Sequence, residues 1–330
     1  MLEHGGNLQQ AAQQYARPLA DWLDLSTGIN PQHYPIPDLP PSLFQRLPPN
    51  NDDLSEVARA YYGCAHLLPC AGSQAALQVL PTLRAPCRVA MPGIMYQEHA
   101  HAWQRAGHEV HFFEHTLDRD LLENTDVLLV CNPNNPTGQG YAVETLLEWH
   151  AQLSARGGWL VVDEAFMDST PQHSLASHTG QVGLWVLRSL GKFFGLAGLR
   201  VGFLLGEPQA LSQVESLLGP WSVAGPSRYI ATQALRDNAW QSQMRTHLPA
   251  QSAQLLQLLT QHGLAVTGGT ALFQYMQHPN SRLLQQALAQ EGVWTRYFDA
   301  PQALRFGLPP TQDWQRLAHA LACAVKSLNG

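Results

Sequence analysis

Lys192 stands in Ser189-Leu190-Gly191-Lys192, with Arg200 eight residues on, and taken alone a lysine beside a glycine also reads as a solvated surface residue. Its neighbours Phe193, Phe194 and Leu196 are apolar and are expected to desolvate the amine. Desolvation lowers a lysine pKa and frees the nitrogen to attack an aldehyde carbonyl. Asp163, in Asp163-Glu164-Ala165-Phe166, directly follows the apolar run Trp159-Val162. A carboxylate there can keep a heterocyclic nitrogen protonated, although taken alone it also reads as a helix cap or loop acid. Asn132-Pro133-Asn134-Asn135-Pro136-Thr137-Gly138 supplies amides suited to a phenolic oxygen, and by itself is also an ordinary turn signature. Ala71-Gly72-Ser73-Gln74 opens a helical pattern, where backbone N–H groups and a hydroxyl can meet an anion.

These groups need a frame that brings them together. From about residue 68 to 206, short apolar runs alternate with helical patterns. Arg88-Met91, Val127-Cys131, Trp159-Val162, Leu184-Leu187 and Val201-Leu205 read as buried parallel strands. Ser73-Leu83, Glu98-Ala106 and Val143-Arg156 carry apolar residues at helical spacing between them. Repeated strand–helix units place chemistry at the carboxyl ends of the strands, where Asp163 and the asparagines fall. Residues 207–262 read as largely helical, with breaks at Gly219-Pro220 and Gly225-Pro226, and lead into an α+β segment. That segment has strands Ala271-Met276 and Ala303-Phe306 and helices Ser281-Gln290 and Trp314-Leu328. The proline-rich stretch from Pro31 to Pro49 reads as an extended arm. The expected organisation is an N-terminal arm with part of a small domain over 1–40, a large domain over 41–220, and a connecting helix with a small domain over 221–330.

Composition excludes several classes. A chain of 330 residues, 45% hydrophobic, can bury one large core and a smaller second one. Net charge is −6 and the 19 lysines and arginines form no basic run, so nucleic acid is not the expected partner. Five cysteines without metal-ligand spacing point to reduced thiols and a cytoplasmic address. No segment approaches the ~20 apolar residues of a membrane span. Among 15 histidines only His99-Ala100-His101 is a tight pair, so no metal is expected and the histidines read as solvated or structural. Gly191-Lys192 lacks the other residues of a P-loop, and neither a Gly-x-Ser-x-Gly elbow nor a dinucleotide fingerprint occurs.

Asn132–Gly138, Asp163–Phe166 and Ser189–Lys192 with Arg200, in that order along the chain, resemble the active-site series of fold-type I pyridoxal-phosphate (PLP) enzymes. The resemblance implies a fold-type I α/β architecture: a large domain with a mainly parallel central sheet flanked by helices, plus a smaller α+β C-terminal domain. It implies pyridoxal 5'-phosphate as cofactor, bound covalently by Lys192, with Asp163 on the pyridine nitrogen and Asn135 on the phenolic oxygen. Gly72, Ser73, Gln74, Ser189 and Arg200 would grip the phosphate. Tyr96 would stack on the ring, with core packing as its alternative.

The ends of the chain narrow the resemblance. His4-Gly5-Gly6-Asn7 and Leu25-Ser26-Thr27-Gly28-Ile29-Asn30-Pro31 are similar to the threonine-phosphate decarboxylase branch, itself similar in fold to histidinol-phosphate aminotransferase. That branch implies decarboxylation of L-threonine O-3-phosphate to (R)-1-aminopropan-2-yl phosphate and CO2 in cobalamin biosynthesis, by a cytoplasmic homodimer. Arg305 would take the substrate carboxylate, and His4, Asn7 and Asn30 would close over the substrate, although Gly5-Gly6 also reads as a flexible arm. Two phenols usual in relatives are missing. Phe166 stands three residues after Asp163 in place of a tyrosine, and Leu47 stands where a tyrosine would reach the partner's cofactor phosphate. An aminotransferase acting on a phosphorylated or aromatic amino acid is the alternative activity.

Overall fold

The computed structural model describes residues 5–49, 52–114 and 116–329. They divide into two units, one of residues 5–32, 136–138 and 244–329, the other of residues 33–49, 52–114, 116–135 and 139–243.

The first unit begins with α1 (Leu8–Gln14) and β1 (Leu23–Leu25). The second takes up the chain with a short α2 (Ser42–Gln45) inside the proline-rich stretch, α3 (Leu54–Tyr62), β2 (Leu67–Cys70) and α4 (Ser73–Val79). The helix expected to reach Leu83 stops at Val79 and tightens into a 3-10 turn over Leu80–Leu83, because Pro81 has no N–H to continue the ladder. Then follow β3 (Arg88–Pro92), α5 (Glu98–Arg105), β4 (Glu109–Phe113), α6 (Arg119–Glu123), β5 (Val127–Cys131), α7 (Val143–Ser154), β6 (Trp159–Asp163), β7 (Leu184–Ser189), β8 (Gly202–Leu205), α8 (Pro208–Leu218) and α9 (Gly225–Arg236).

Their sheet has seven strands in the order β2-β8-β7-β6-β5-β3-β4. Strands β4, β3, β5, β6 and β7 are mutually parallel and almost wholly buried where they are central, which explains their unbroken apolar runs. The strand at Gly202–Leu205 departs from expectation. It is as buried as its neighbours but runs antiparallel to both β7 and β2. Burial on both faces imposes the same apolar run in either direction, so composition does not report orientation. One face is covered by α4, α5 and α8, with Leu77, Met91, Trp103, Leu129, Trp185 and Val214 in a continuous core.

α10 (Asn238–Gln261) crosses the boundary between the units, and the first unit resumes with β9 (Gly268–Thr270), β10 (Phe273–Gln277), α11 (Ser281–Gln290), β11 (Val293–Phe298), β12 (Ala303–Gly307) and α12 (Trp314–Asn329). The strand expected over Ala271-Met276 begins at Phe273. Ala271 and Leu272 instead form the turn of a β9–β10 hairpin, with the Leu272 N–H donating to Thr270 Oγ1. The sheet order is β1-β11-β12-β10-β9, and β1, from the start of the chain, pairs parallel with β11 through Leu23↔Val293. Among the described residues no helix is long and apolar enough to cross a membrane.

Candidate active site

Cys131, Asp163 and Leu187 are register partners at the carboxyl ends of β5, β6 and β7. A cleft opens there, lined by Gly72, Ser73, Gln74, Tyr96, Cys131, Asn135, Asp163, Phe166, Ser189, Lys192 and Arg200 among others. All of these residues belong to the second unit. Nine of them are the residues marked above as candidate cofactor contacts.

Asp163 is 6% exposed. Its Oδ2 accepts from His99 Nε2 at 2.8 Å and its Oδ1 from the Ala165 N–H at 3.0 Å. A carboxylate has about four acceptor positions, so these two bonds orient the group and leave capacity for a donor in the cleft. His99 lies on the first turn of α5, three residues after Tyr96, with the two rings edge to face at 6.0 Å. His99 is one of the structural histidines, hydrogen-bonded within the site. His99 is 1% exposed and belongs to the site. Tyr96 stands just before α5, where its carbonyl accepts from the His99 N–H at 3.2 Å, and nothing in the local spacing announces the bond from His99 to Asp163, 64 residues on.

Lys192 Nζ lies 5.4 Å from the centroid of Phe166. Phe166 is one apolar side chain against the amine. Phe193 and Phe194, expected to desolvate it, are themselves buried around Trp240, with Phe194 stacked on that indole at 5.5 Å. They anchor the segment that carries the lysine.

Gly72 has φ +73, and a Cβ there would sit 2.5 Å from the Arg200 guanidinium. Glycine at this position lets the arginine close over the turn that begins α4. Gly202 is constrained from the other side, since a Cβ on it would stand 2.2 Å from the Ser73 nitrogen. Ser189 Oγ accepts from the Gly191 N–H at 3.2 Å, which fixes the turn leading to Lys192. Two hydroxyls, a guanidinium and a glycine turn thus line one end of the cleft, a donor set suited to a phosphate.

The three asparagines separate by role. Asn132 exchanges hydrogen bonds with the Tyr141 backbone, and Asn134 Nδ2 donates to the Ile94 carbonyl at 2.8 Å. Asn135 lines the cleft. Tyr96 donates to Gln74 Oε1 at 3.2 Å, and Gln74 donates to Glu98 at 3.0 Å, a chain that sets the ring's orientation. Burial, and after it the charges of Glu98 and Asp163, push the Tyr96 phenol up to about 12. Burial, with Asp163 next, pushes the Cys131 thiol well above its ordinary range, so it stays a neutral wall of the cleft.

Behind the strand ends lies a buried ionic network. Arg188 donates to Glu164 at 2.6 Å, to Ser174 at 3.2 Å and to Asp168, and it stands over the Tyr62 ring at 4.6 Å. Burial pushes its pKa down but Asp168 and Glu164 push it up further, so the guanidinium stays charged. Glu164 and Arg188 directly adjoin Asp163 and Ser189 in sequence, so the network ties together the ends of β6 and β7.

In the first unit, Arg305 is buried, donates to the Ser26 carbonyl at 2.7 Å and lies 5.3 Å from the Phe273 ring centroid. It stands opposite Arg296 in the β11–β12 register. Like charges placed opposite each other repel. Burial, and then Arg296, push Arg305 down to about 10, with Asp24 opposing. Asn30 is buried and accepts from the Gln32 N–H at 2.8 Å, whereas Asn7 is exposed and caps α1 through Gln10. His4 lies outside the described residues.

A family model described as aminotransferase class I and II matches residues 42–321. The sequence is 52% identical over 322 residues to a threonine-phosphate decarboxylase of Pseudomonas aeruginosa, covering 97% of each chain. It is 41% identical over 330 residues to a threonine-phosphate decarboxylase of a Sinorhizobium species, covering 97% of this chain and 98% of that one. The fold is similar to that of the histidinol-phosphate aminotransferase from Sinorhizobium meliloti, solved in complex with pyridoxal-5'-phosphate. There the TM-score is 0.80 at 19% identity, over 99% of this chain and 96% of that one.

Proposed function

The chain belongs to the aminotransferase class I and II family, and from that premise we propose that it is a PLP-dependent decarboxylase of L-threonine O-3-phosphate, forming (R)-1-aminopropan-2-yl phosphate and CO2 for cobalamin biosynthesis. The observation that carries the choice of reaction is the 52% identity to a threonine-phosphate decarboxylase along 97% of both chains. The cleft residues suit the cofactor: Gly72 makes room that a Cβ would fill, Arg200 closes over it, and buried Asp163 keeps acceptor capacity.

Lys192 would hold the aldehyde carbon, Asp163 the pyridine nitrogen, Asn135 the phenolic oxygen and Tyr96 one face of the ring. Gly72, Ser73, Gln74, Ser189 and Arg200 would hold the phosphate. Once bound, the cofactor supplies an electron sink for the pair left at Cα when the carboxylate departs. The rest falls to the protein. Asp163, steadied by His99 and Ala165, holds a proton on the ring nitrogen. The Lys192 amine, 5.4 Å from the Phe166 ring centroid, delivers the proton to Cα after CO2 leaves. Arg305 and Arg296, side by side, match a substrate with two anionic groups, since a carboxylate and a phosphate would relieve the repulsion between them.

A cytoplasmic homodimer completes the reading. Phe44 and Leu47 lie at α2, which packs on α9, and Trp221 lies just before α9, all more than half exposed. Large apolar side chains left in water on one helix pair suit a second copy of the chain. Sedimentation of the purified protein as a dimer supports this, and a monomer at working concentration overturns it.

The reaction is tested by incubating the purified, PLP-loaded protein with L-threonine O-3-phosphate. CO2 and the amino phosphate should form without any 2-oxo acid, and the Lys192→Ala variant should form neither. Turnover that strictly requires a 2-oxo acid acceptor would overturn the decarboxylase in favour of transamination.

A further inference from the structure

Among the described residues, two clusters of three side chains bring metal-ligating atoms within 4.8 Å of one another. One contains Asp163 and belongs to the cleft. The other is Glu291, His319 and Cys323, in the first unit, with no residue in common with the cleft.

Its geometry follows from two packed helices. His319 and Cys323 stand one turn apart on α12, on the same face, with Nε2 and Sγ 3.7 Å apart. Glu291 is the C-cap of α11, its backbone N–H bonded to the Ala287 and Ala289 carbonyls, and α11 packs on α12. His319 is exposed and Cys323 half-buried, so an ion can reach them from solvent. With metal–nitrogen bonds of about 2.0–2.1 Å and metal–sulfur bonds of about 2.3 Å, two ligands at a tetrahedral angle lie about 3.6 Å apart. The observed spacing matches that edge without rearrangement. A thiolate and a carboxylate balance a dication, and an imidazole–thiolate pair selects zinc-like over magnesium- or calcium-like ions. Arg316, one turn earlier on α12, is turned onto the Asp21 and Gly292 carbonyls and lies 3.9 Å from Asp313.

We propose that Glu291, His319 and Cys323 form a three-ligand surface site for Zn²⁺ or a similar borderline-soft dication, with solvent in the fourth position. Binding displaces the thiol proton of Cys323 into solution. The site does not depend on the assignment of the cleft.

The test is a Co²⁺ titration of the full-length, PLP-loaded protein, followed at the red end of the visible spectrum and by difference spectra in the near ultraviolet. One equivalent per chain should give tetrahedral d–d bands and a thiolate-to-cobalt charge-transfer band, and Zn²⁺ should abolish both. Cys323→Ser should remove the charge-transfer band. His319→Ala and Glu291→Gln should each weaken binding about tenfold or more, as loss of a ligand costs no less than loss of its outer-shell support. The absence of a tetrahedral cobalt spectrum, or a charge-transfer band that survives in Cys323→Ser, overturns the site. If Cys323→Ser fails to fold, judged by circular dichroism, His319→Ala decides: unchanged cobalt affinity there overturns it equally.

Discussion

His99 and Asp163 share a 2.8 Å hydrogen bond from imidazole Nε2 to carboxylate Oδ2, with both side chains nearly removed from solvent. A hydrogen bond to a charged group contributes about 1.5–3 kcal/mol. Replacing His99 with Leu should therefore lower turnover about 10- to 150-fold. His99→Gln, which keeps a donor, should recover part of the loss. Steady-state rates with the cofactor absorption spectrum check this, and equal loss in both variants would point to packing instead.

Gly72→Ala should weaken cofactor retention while leaving the fold in place. The added Cβ would meet the Arg200 guanidinium at 2.5 Å, and φ +73 with ψ 158 is a backbone region essentially reserved for glycine, costing another residue about 1–3 kcal/mol. Equilibrium dialysis should show faster loss of PLP than from the parent, together with a small drop in Tm.

Arg305 predicts an alkaline limb in substrate binding. Its pKa is pushed down to about 10 by burial and then by Arg296, so it is charged at neutral pH and loses its proton as pH rises through about 10. KM for the substrate should climb over that interval. In Arg305→Gln the KM should already be high at neutral pH, and the climb assigned to this group should vanish. A KM that stays flat through pH 10 in the parent would remove Arg305 from the role.

Arg188→Met should destabilise the protein by about 3–5 kcal/mol, because it leaves Glu164 and Asp168 buried without their cation. Urea denaturation measures the loss. The variant tests the foundation of the strand ends, so its residual folded fraction should also bind PLP less tightly.

Cys131 should resist alkylation in the folded protein at neutral pH. Burial, and then Asp163, keep it as the thiol, and the thiolate is the reactive form. Mass spectrometry after iodoacetamide treatment should find it labelled only once the chain is unfolded.

The sequence by itself determined which chemical groups exist and in what order they leave the strands. Apolar runs at 127–131 and 159–162 announce strands through their own composition, and a residue directly after a strand emerges at its carboxyl end wherever that strand lies. Asp163 and the Asn132–Asn135 turn were legible for that reason, and so was the turn carrying Ser189 and Lys192. Tertiary structure alone decided matters that depend on partners distant in the chain. It reversed Gly202–Leu205 against its neighbours, since strand direction leaves no mark on a run buried on both faces. It brought Leu23 beside Val293, set Phe166 against Lys192, and turned His99 inward onto Asp163. Local periodicity reports whether a side chain is buried, whereas the identity of what it is buried against arises only when the whole chain has packed.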